Sequence, residues 1–277
     1  MELLHATLPL YDLPEAQMQC KPYSGPCTDA FWQGLAESFR KAGLENVPDI
    51  LYRGDDVYQN NVFFGQVCGY PLTHEFSGRF QVIATPVYRT PYFTGPEYRS
   101  VIVVHKNCEW EKLADANGSL AAVNSKNSHS GYNILRYMVT QLTTGPYEVR
   151  RLTKPFFSGV LISGGHRNSL SQISNKEADV AAIDALTWSL LERYVPKDLE
   201  NVRILEISPP APAPAFVTEN SISTHKLNLF RKAIQTFFDE QNFNTVCEQL
   251  FLDSIEILPE DAYACILEME NNSIEEL

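Results

Sequence analysis

The residues best suited to bind a ligand lie in a short polar loop directly before an apolar helical segment. The loop contains Ser128, His129, Ser130 and Gly131. The first N–H groups of a helix lack partners within the helix, and the helix dipole adds partial positive charge there. The serines add hydroxyl donors, and Gly131 allows close approach of the backbone. The loop predicts an anion site, although a plain helix cap at Ser128 or Ser130 would use the same residue types.

A second polar turn has two glycines followed by a histidine and an arginine. Gly164 and Gly165 favour a tight connection from a strand to a helix, with His166 and Arg167 in the first helical turn. A cation there opposes the helix dipole unless an anion lies nearby. The turn therefore indicates either a second anion-binding helix start or a solvated surface turn.

Asp184 is the third candidate, because it ends the predicted strand Ala178–Ile183 and begins the next helical segment. Aspartate is a good N-cap residue, so a purely structural role is one interpretation. In the other, the carboxylate accepts a hydrogen bond from the ligand. It would then repel a dianion and favour a protonated oxyanion or a ligand that bears an ammonium group.

Tyrosines in the first part of the chain are further candidates. A phenol can close over a ligand and donate one hydrogen bond. Ordinary packing would explain the same residues equally well. The tyrosines are Tyr11, Tyr70, Tyr88 and Tyr98.

The elements that position these residues alternate between short apolar runs and amphipathic segments. This pattern predicts an α/β fold with mostly parallel sheets and helices on both faces. Thr28–Ala42 and Ser130–Leu142, for example, have the periodicity of helices with one apolar side. The candidate residues then lie where strands lead into helices, which is where α/β proteins bind small ligands.

Charge is distributed unevenly along the chain, whose net charge is −12. Residues 104–203 contain 12 basic and 10 acidic residues, whereas the remainder contains 10 and 24. The Pro-rich stretch Ser208–Pro214 is typical of a stiff, extended return segment. We therefore expect a discontinuous first lobe, residues 1–100 plus 205–277, and a second lobe, residues 101–204, with two hinge crossings. The second lobe would carry the anion-binding helix starts.

Several function classes are excluded by composition and motifs. The acidic net charge argues against nucleic acids, and no apolar run reaches the roughly 18–20 residues of a membrane span. The sequence contains no phosphate-binding P-loop, no zinc-ligand spacing and no nucleophile elbow. We therefore predict no cofactor, no metal and no catalytic residues, and hence a binding protein and not an enzyme.

Two features leave alternatives open. Cys20 and Cys27 are close enough in sequence for a local disulfide, but buried free thiols are the other interpretation. Met1 is followed by a predicted strand, Leu3–Leu10, and not by a signal-peptide pattern. We expect either that a signal was removed or that the protein stays in the cytoplasm.

An ordered series of motifs over roughly residues 50–215 resembles the phosphate/phosphonate substrate-binding components of ABC transporters. The motifs are Cys68-Gly69-Tyr70-Pro71, Ala84-Thr85-Pro86-Val87-Tyr88, Tyr98-Arg99-Ser100-Val101-Ile102-Val103, Ser128-His129-Ser130-Gly131-Tyr132, Gly165-His166-Arg167 and Asp179-Val180-Ala181-Ala182-Ile183-Asp184.

The resemblance implies a two-lobed type II periplasmic-binding-protein fold that closes on phosphate, phosphite or a phosphonate in the cleft between its lobes. It also implies a monomer in the periplasm or another extracytoplasmic compartment, with an ABC permease as partner. The helix-start loop would grip the oxyanion. The implied ligand contacts are Ser128, His129, Ser130, His166, Asp184 and Tyr98, to which Gly131, Tyr11 and Tyr70 are added from the residue types.

One departure from the family pattern is His129, which stands where the family loop usually has a hydroxyl residue. It predicts altered size selectivity or a pH dependence near neutrality. Alternatives within the same fold are a sulfonate, carboxylate or vitamin-precursor ligand, and an enzyme similar to pyrimidine-precursor synthases, whose Cys-rich metal motif is missing here. The effector domain of a regulator would need a separate DNA-binding chain.

Overall fold

The protein forms two compact units, each built from discontinuous stretches of the chain. The first unit is Met1–Glu97 with Pro212–Ala262, and the second is Tyr98–Ala211 with Tyr263–Leu277. The computed structural model describes residues 4–13, 26–54, 56–59, 61–143, 155–240, 244–259 and 261–277.

The first unit is a sheet with helices packed against it. Its elements are β1 (His5–Thr7), α1 (Cys27–Lys41), β2 (Val62–Val67), α2 (Gly69–Thr73), β3 (Phe80–Arg89), β4 (Thr94–Gly95), β12 (Ala215–Glu219), α6 (Thr224–Asp239), α7 (Asn244–Gln249) and β13 (Leu252–Glu256). The strand order is β1-β2-β12-β3-β13, with β4 paired to β3. The core is strongly aromatic because α1 contributes Phe31, Trp32 and Phe39, which pack on Phe64 and Phe216.

The second unit has one five-stranded sheet in the order β10-β6-β9-β7-β8. Its elements are β6 (Ser100–His105), β7 (Leu120–Val123), a π-turn (His129–Asn133) that continues into α3 (Ile134–Thr143), β8 (Gly159–Ile162), α4 (His166–Ser174), β9 (Val180–Asp184), α5 (Ala185–Tyr194), β10 (Val202–Ile207) and α8 (Ala264–Asn271). Two short strands, β5 (Glu97–Tyr98) and β11 (Ala211–Pro212), pair with each other. Each lies where the chain passes from one unit to the other.

The α/β class is confirmed, but the prediction of mostly parallel sheets is wrong. Only β1–β2, β7–β8 and β7–β9 are parallel among the named strand pairs whose register the structure describes. Parallel strands follow helical crossovers, as the alternating pattern suggested. The remaining pairs run antiparallel. They include the short hairpin β3–β4 and pairs between strands far apart in sequence, such as β6 with β10 and β3 with β12.

The C-terminal segment differs from the prediction, which kept the whole tail with the first lobe. Tyr263–Leu277 instead packs on the second unit. The Arg136 Nε atom of α3 donates to the Ile274 carbonyl at 2.7 Å, and Leu277 is buried in that unit's core. The apolar residues of this acidic tail therefore cover α3. The chain passes between the units a third time where the tail begins, between Ala262 and Tyr263.

Candidate functional site

The predicted ligand-binding elements meet at one edge of the sheet in the second unit. Strands β8, β7 and β9 are neighbours and run parallel, so their carboxyl ends lie side by side. From its end β7 leads into the π-turn and α3, β8 leads into α4, and β9 leads into α5. We call this set of three strand ends and helix starts the carboxyl edge. Such an edge is where open α/β sheets place their ligands.

The first loop at the carboxyl edge begins with Ser128. Its Oγ accepts a hydrogen bond from the Gly131 N–H at 3.2 Å, so Ser128 does cap the turn. Its carbonyl accepts from the Asn133 N–H at 3.0 Å, five residues ahead. This spacing makes the first turn a π-turn, a form that often occurs at functional sites.

Ser130 joins this loop to the next helix start. Its Oγ lies 2.9 Å from His166 Nε2, at the first position of α4. The backbones of the two loops are joined as well, because the Gly164 N–H donates to the Asn124 carbonyl at 3.0 Å. The structure thus brings together four of the predicted ligand contacts, Ser128, Ser130, Gly131 and His166.

Both histidines of the carboxyl edge are neutral near pH 7. Burial lowers the pKa of His129 and that of His166 to about 4. His166 is partly exposed as a residue, and a hydrogen bond with the Ala182 backbone offsets part of the pKa lowering. An anion here would be held by helix N–H groups and hydroxyls, and not by an imidazolium.

The His129 ring lies inside the second unit, with only 2% of the residue exposed. Its Nδ1 is 3.2 Å from Asn133 Nδ2, and the same Nδ2 donates to the Ile266 carbonyl at 3.4 Å. Because the carbonyl fixes the amide orientation, His129 Nδ1 accepts and its proton is on Nε2. The Tyr98 ring, only 2% exposed, lies 6.1 Å from that of His129 between centroids.

Asp184 lies at the carboxyl edge and caps α5. Its Oδ1 accepts hydrogen bonds from the Leu186 and Thr187 N–H groups at 2.8 and 2.9 Å. This is the structural role that the sequence offered as one interpretation. Contact between Asp184 and a ligand stays a prediction.

Arg167 has an anion beside it within the protein. Its Nε pairs with the Asp198 carboxylate at 2.6 Å. This ion pair explains how a cation can occupy the first turn of α4 without a bound ligand.

Tyr11 and Tyr70, the other two predicted contacts, belong to the first unit. Tyr11 lines a small cavity of about 30 Å³ together with Gln66 and Tyr88. Tyr70 stacks on His74, with ring centroids 4.0 Å apart. Packing accounts for their burial, and a ligand role for either stays a prediction.

Sequence reasoning missed three polar residues at this edge. Ser100, opposite Asp184 in the β6–β9 register, donates its hydroxyl proton to the Ser130 carbonyl at 2.9 Å. Asn133 orients His129, and Asn124 lies against Gly131. The only available signal was the presence of polar residues beside apolar runs, which does not distinguish a site from a loop.

Two negative findings apply to the described part of the chain. No three His, Cys, Asp or Glu side chains there lie close enough together to hold a metal ion. None of the helices described is long and apolar enough to cross a membrane.

Cys27 is buried at the start of α1, but Cys20 lies outside the described residues, so their pairing stays untested.

Solved structures with the same fold include transport proteins. A binding-protein component of an ABC phosphonate transporter from Pseudomonas aeruginosa has a TM-score of 0.71 at 16% identity, over 96% of this chain and 85% of that chain. PhnD1 from Prochlorococcus marinus, in complex with methylphosphonate, has a TM-score of 0.70 at 14% identity, over 97% of each chain. A Xanthomonas citri protein bound to ATP has a TM-score of 0.67 at 13% identity, over 98% of this chain and 97% of that chain.

These likenesses confirm the predicted type II periplasmic-binding-protein fold. No curated protein matches the chain by sequence. The family of periplasmic, phosphonate substrate-binding proteins of ABC transporters matches residues 62–256, more than two thirds of the chain. This stretch includes every element of the carboxyl edge, and the chain therefore belongs to the phosphonate substrate-binding family of ABC transporters.

Proposed function

We propose that this protein captures a small phosphorus oxyanion, namely phosphate, phosphite or a phosphonate, at the carboxyl edge of the second unit, for uptake by an ABC permease or for sensing. One observation carries the proposal. The π-turn that leads into α3 lies beside the start of α4, and the hydrogen bond between Ser130 and His166 joins the two. Neither has an acidic residue in its first turn.

The chemistry of this arrangement suits a tetrahedral anion. Backbone N–H groups of the two first turns would donate to its oxygens, and both helix dipoles would favour its charge. The hydroxyl of Ser130 adds a donor that can rotate toward the ligand. Neutral His129 and His166 add polar contacts without a charge that varies near neutral pH.

The relatives support a phosphoryl group as the part recognised. PhnD1 was solved with methylphosphonate, and the Xanthomonas protein with ATP. Both ligands bear phosphorus–oxygen groups but differ in size. The proposal for this chain therefore specifies the oxyanion head and leaves the attached group to experiment.

We further propose that binding occurs without turnover, although Ser130 and His166 have the spacing of a nucleophile and its base. A general base works best with a pKa near the operating pH. The pKa of His166, about 4, makes it a weak base at neutrality. Incubation with p-nitrophenyl phosphate tests this part of the proposal. If the wild type released p-nitrophenol and Ser130→Ala did not, the result would contradict it and favour an enzyme.

Isothermal titration calorimetry with phosphate, phosphite, methylphosphonate, 2-aminoethylphosphonate, sulfate and taurine tests the binding proposal. We expect saturable binding of at least one phosphorus compound. Ser130→Ala should weaken it by about 1–2 kcal/mol, as for one hydrogen bond to a charged group. Ser171→Ala on the exposed side of α4 is the matched control and should bind like the wild type.

Two results would overturn the proposal. Binding of sulfate or taurine, with no response to any phosphorus compound, would keep the fold and replace the ligand class. Equal affinities of Ser130→Ala, Ser171→Ala and the wild type would place the anion elsewhere.

A further inference from the structure

Asn124, directly after β7, stands out at the carboxyl edge because part of its side chain is buried without a partner. Its Oδ1 makes no hydrogen bond to any residue that the structure describes. Its own carbonyl is engaged with the Gly164 N–H at 3.0 Å, so the backbone is held between the two loops. A buried acceptor without a donor is unfavourable, and such atoms in native proteins call for an explanation.

The position of this oxygen relates it to the proposed anion site. A Cβ atom added to Gly131 would lie only 1.8 Å from Asn124 Oδ1. The amide oxygen therefore occupies the space where any other residue at position 131 would have its Cβ atom, and it lies against the π-turn. An oxyanion bound to the N–H groups of that turn would lie near an acceptor as well as near donors.

We propose that Asn124 is a specificity-determining residue, whose amide oxygen accepts a hydrogen bond from a protonated ligand oxygen, so that the site prefers the monoanion of a phosphonate to its dianion. This inference rests on the proposed function. A dianion has no proton to offer to Oδ1 and leaves that acceptor unpaired. The monoanion supplies one P–O–H donor while its charged oxygens still face the helix N–H groups.

The pH dependence that follows comes from the ligand. The titratable and charged groups on the loop and on the elements around it are Lys126, His129, His166, Arg167 and Asp184. Both histidines have pKa values of about 4 and are neutral near pH 7, Arg167 is paired with Asp198, and Asp184 caps α5. The second ionisation of a phosphonate is therefore the change that Asn124 would sense.

Calorimetry with methylphosphonate, below and above its second ionisation, tests the inference. Wild-type protein should bind more tightly at the lower pH. Asn124→Ala should lose about tenfold in affinity for the monoanion, as for one hydrogen bond to a charged ligand, and keep its affinity for the dianion. Asn124→Asp retains an acceptor of the same shape and should keep the preference, while binding the dianion more weakly than wild type. Asn127→Ala in the same loop is the control and should retain the wild-type profile.

Each outcome has one meaning. A similar loss for Asn124→Ala at both pH values indicates a merely structural role and overturns the inference. Tighter binding of the dianion by wild type would contradict the preference for the monoanion and also overturns it. Absence of wild-type binding to any phosphorus oxyanion would overturn the proposed function itself, whereas wild-type binding with an unchanged Asn124→Ala profile removes only the role of Asn124.

Discussion

The start of α1 in the first unit and the starts of the π-turn and of α4 in the second unit differ in the source of the negative charge near the helix N-terminus. At the start of α1, in the first unit, Asp29 lies in the first turn and Asp12 accepts from the Thr28 hydroxyl at 2.6 Å. Arg53 binds both carboxylates, at 2.6 and 2.7 Å. In the second unit, the first turns of the π-turn and of α4 contain no acidic residue.

This difference shows how one type of element can serve stability in one place and binding in another. A helix start that carries its own carboxylate already has the charge that its dipole favours. A start without one retains unpaired N–H groups for an external anion. Within the second unit α5 follows the first pattern, because Asp184 caps it, so the contrast depends on single residues.

The strongest way to break the contrast is to give α4 a carboxylate of its own. Gly165, its N-cap residue, has an extended φ of −175°, and a Cβ atom added there would lie 4.0 Å from Asn168 Nδ2, an ordinary van der Waals contact. Gly165→Asp should fold normally but should weaken oxyanion binding about a hundredfold or more, because two like charges a few ångströms apart repel by several kcal/mol. Calorimetry with the phosphorus ligand measures the loss.

Gly165→Asn separates charge from capping. Asparagine caps about as well as aspartate but carries no charge, so this variant should retain most of the affinity. If both variants bind like wild type, the start of α4 does not belong to the anion site.

Acid should destabilise the protein through the second unit. The pKa values of His129 and His166 fall from 6.5 to about 4 on folding, so the unfolded chain binds more protons between these values. Their contribution to stability is complete above pH 6.5 and is lost as the pH falls toward about 4, by about 1.4 kcal/mol per pH unit for each histidine. Urea unfolding across this range measures the slope.

Replacing the histidines tests this assignment. The double variant His129→Gln and His166→Gln should reduce the slope, whereas His225→Gln, at an exposed position on α6, should leave it unchanged. A slope that survives the double replacement would assign the acid sensitivity to other groups.

The carboxylates of the first unit should matter for stability. Asp12→Ala removes the acceptor of Thr28 and one partner of Arg53, and should cost about 1–2 kcal/mol of unfolding free energy. The control is Asp49→Ala. Asp49 also pairs with an arginine at 2.7 Å, but its side chain is 93% exposed, and such surface pairs contribute less than about 1 kcal/mol. Equal losses would mean that the start of α1 gains nothing from its own anion.

Much of this arrangement follows from local sequence patterns. Apolar periodicity and the small polar residues at Ser128–Gly131 and Gly164–Gly165 predict where strands give way to helices, and the structure has helix starts there. These signals depend on residues near each other in the chain. They indicate which residues are candidates, but not which candidates meet.

The features that sequence reasoning missed depend on contacts between distant segments. The hydrogen bond between Ser130 and His166, the burial of Asn124 against Gly131 and the return of Tyr263–Leu277 to the second unit all join parts of the chain without a shared pattern. The π-turn is similar, because bonds five residues apart have no periodicity that distinguishes them from the following α-helix.

Replacing Asp184 should give the smallest change in ligand affinity. It also tests the contrast most closely, because Asp184 caps α5 with a carboxylate at the same carboxyl edge where the π-turn and α4 have none. Asp184→Asn should keep α5 capped, since asparagine is an equivalent cap. Removing the charge should raise affinity for a phosphonate dianion only severalfold, because a cap already engaged by two N–H groups repels less than a bare carboxylate.

Asp179→Asn is the matched control for this prediction. Asp179 precedes the same strand, and its carboxylate accepts from the Leu120 N–H at 2.8 Å. Five residues of strand put it about 15 Å from the carboxyl edge, beyond the screening length of about 10 Å in 0.1 M salt. A gain in Asp184→Asn alone would place this carboxylate beside the ligand. Equal gains in both variants would reflect net charge, and Asp184 would then be a helix cap and nothing more.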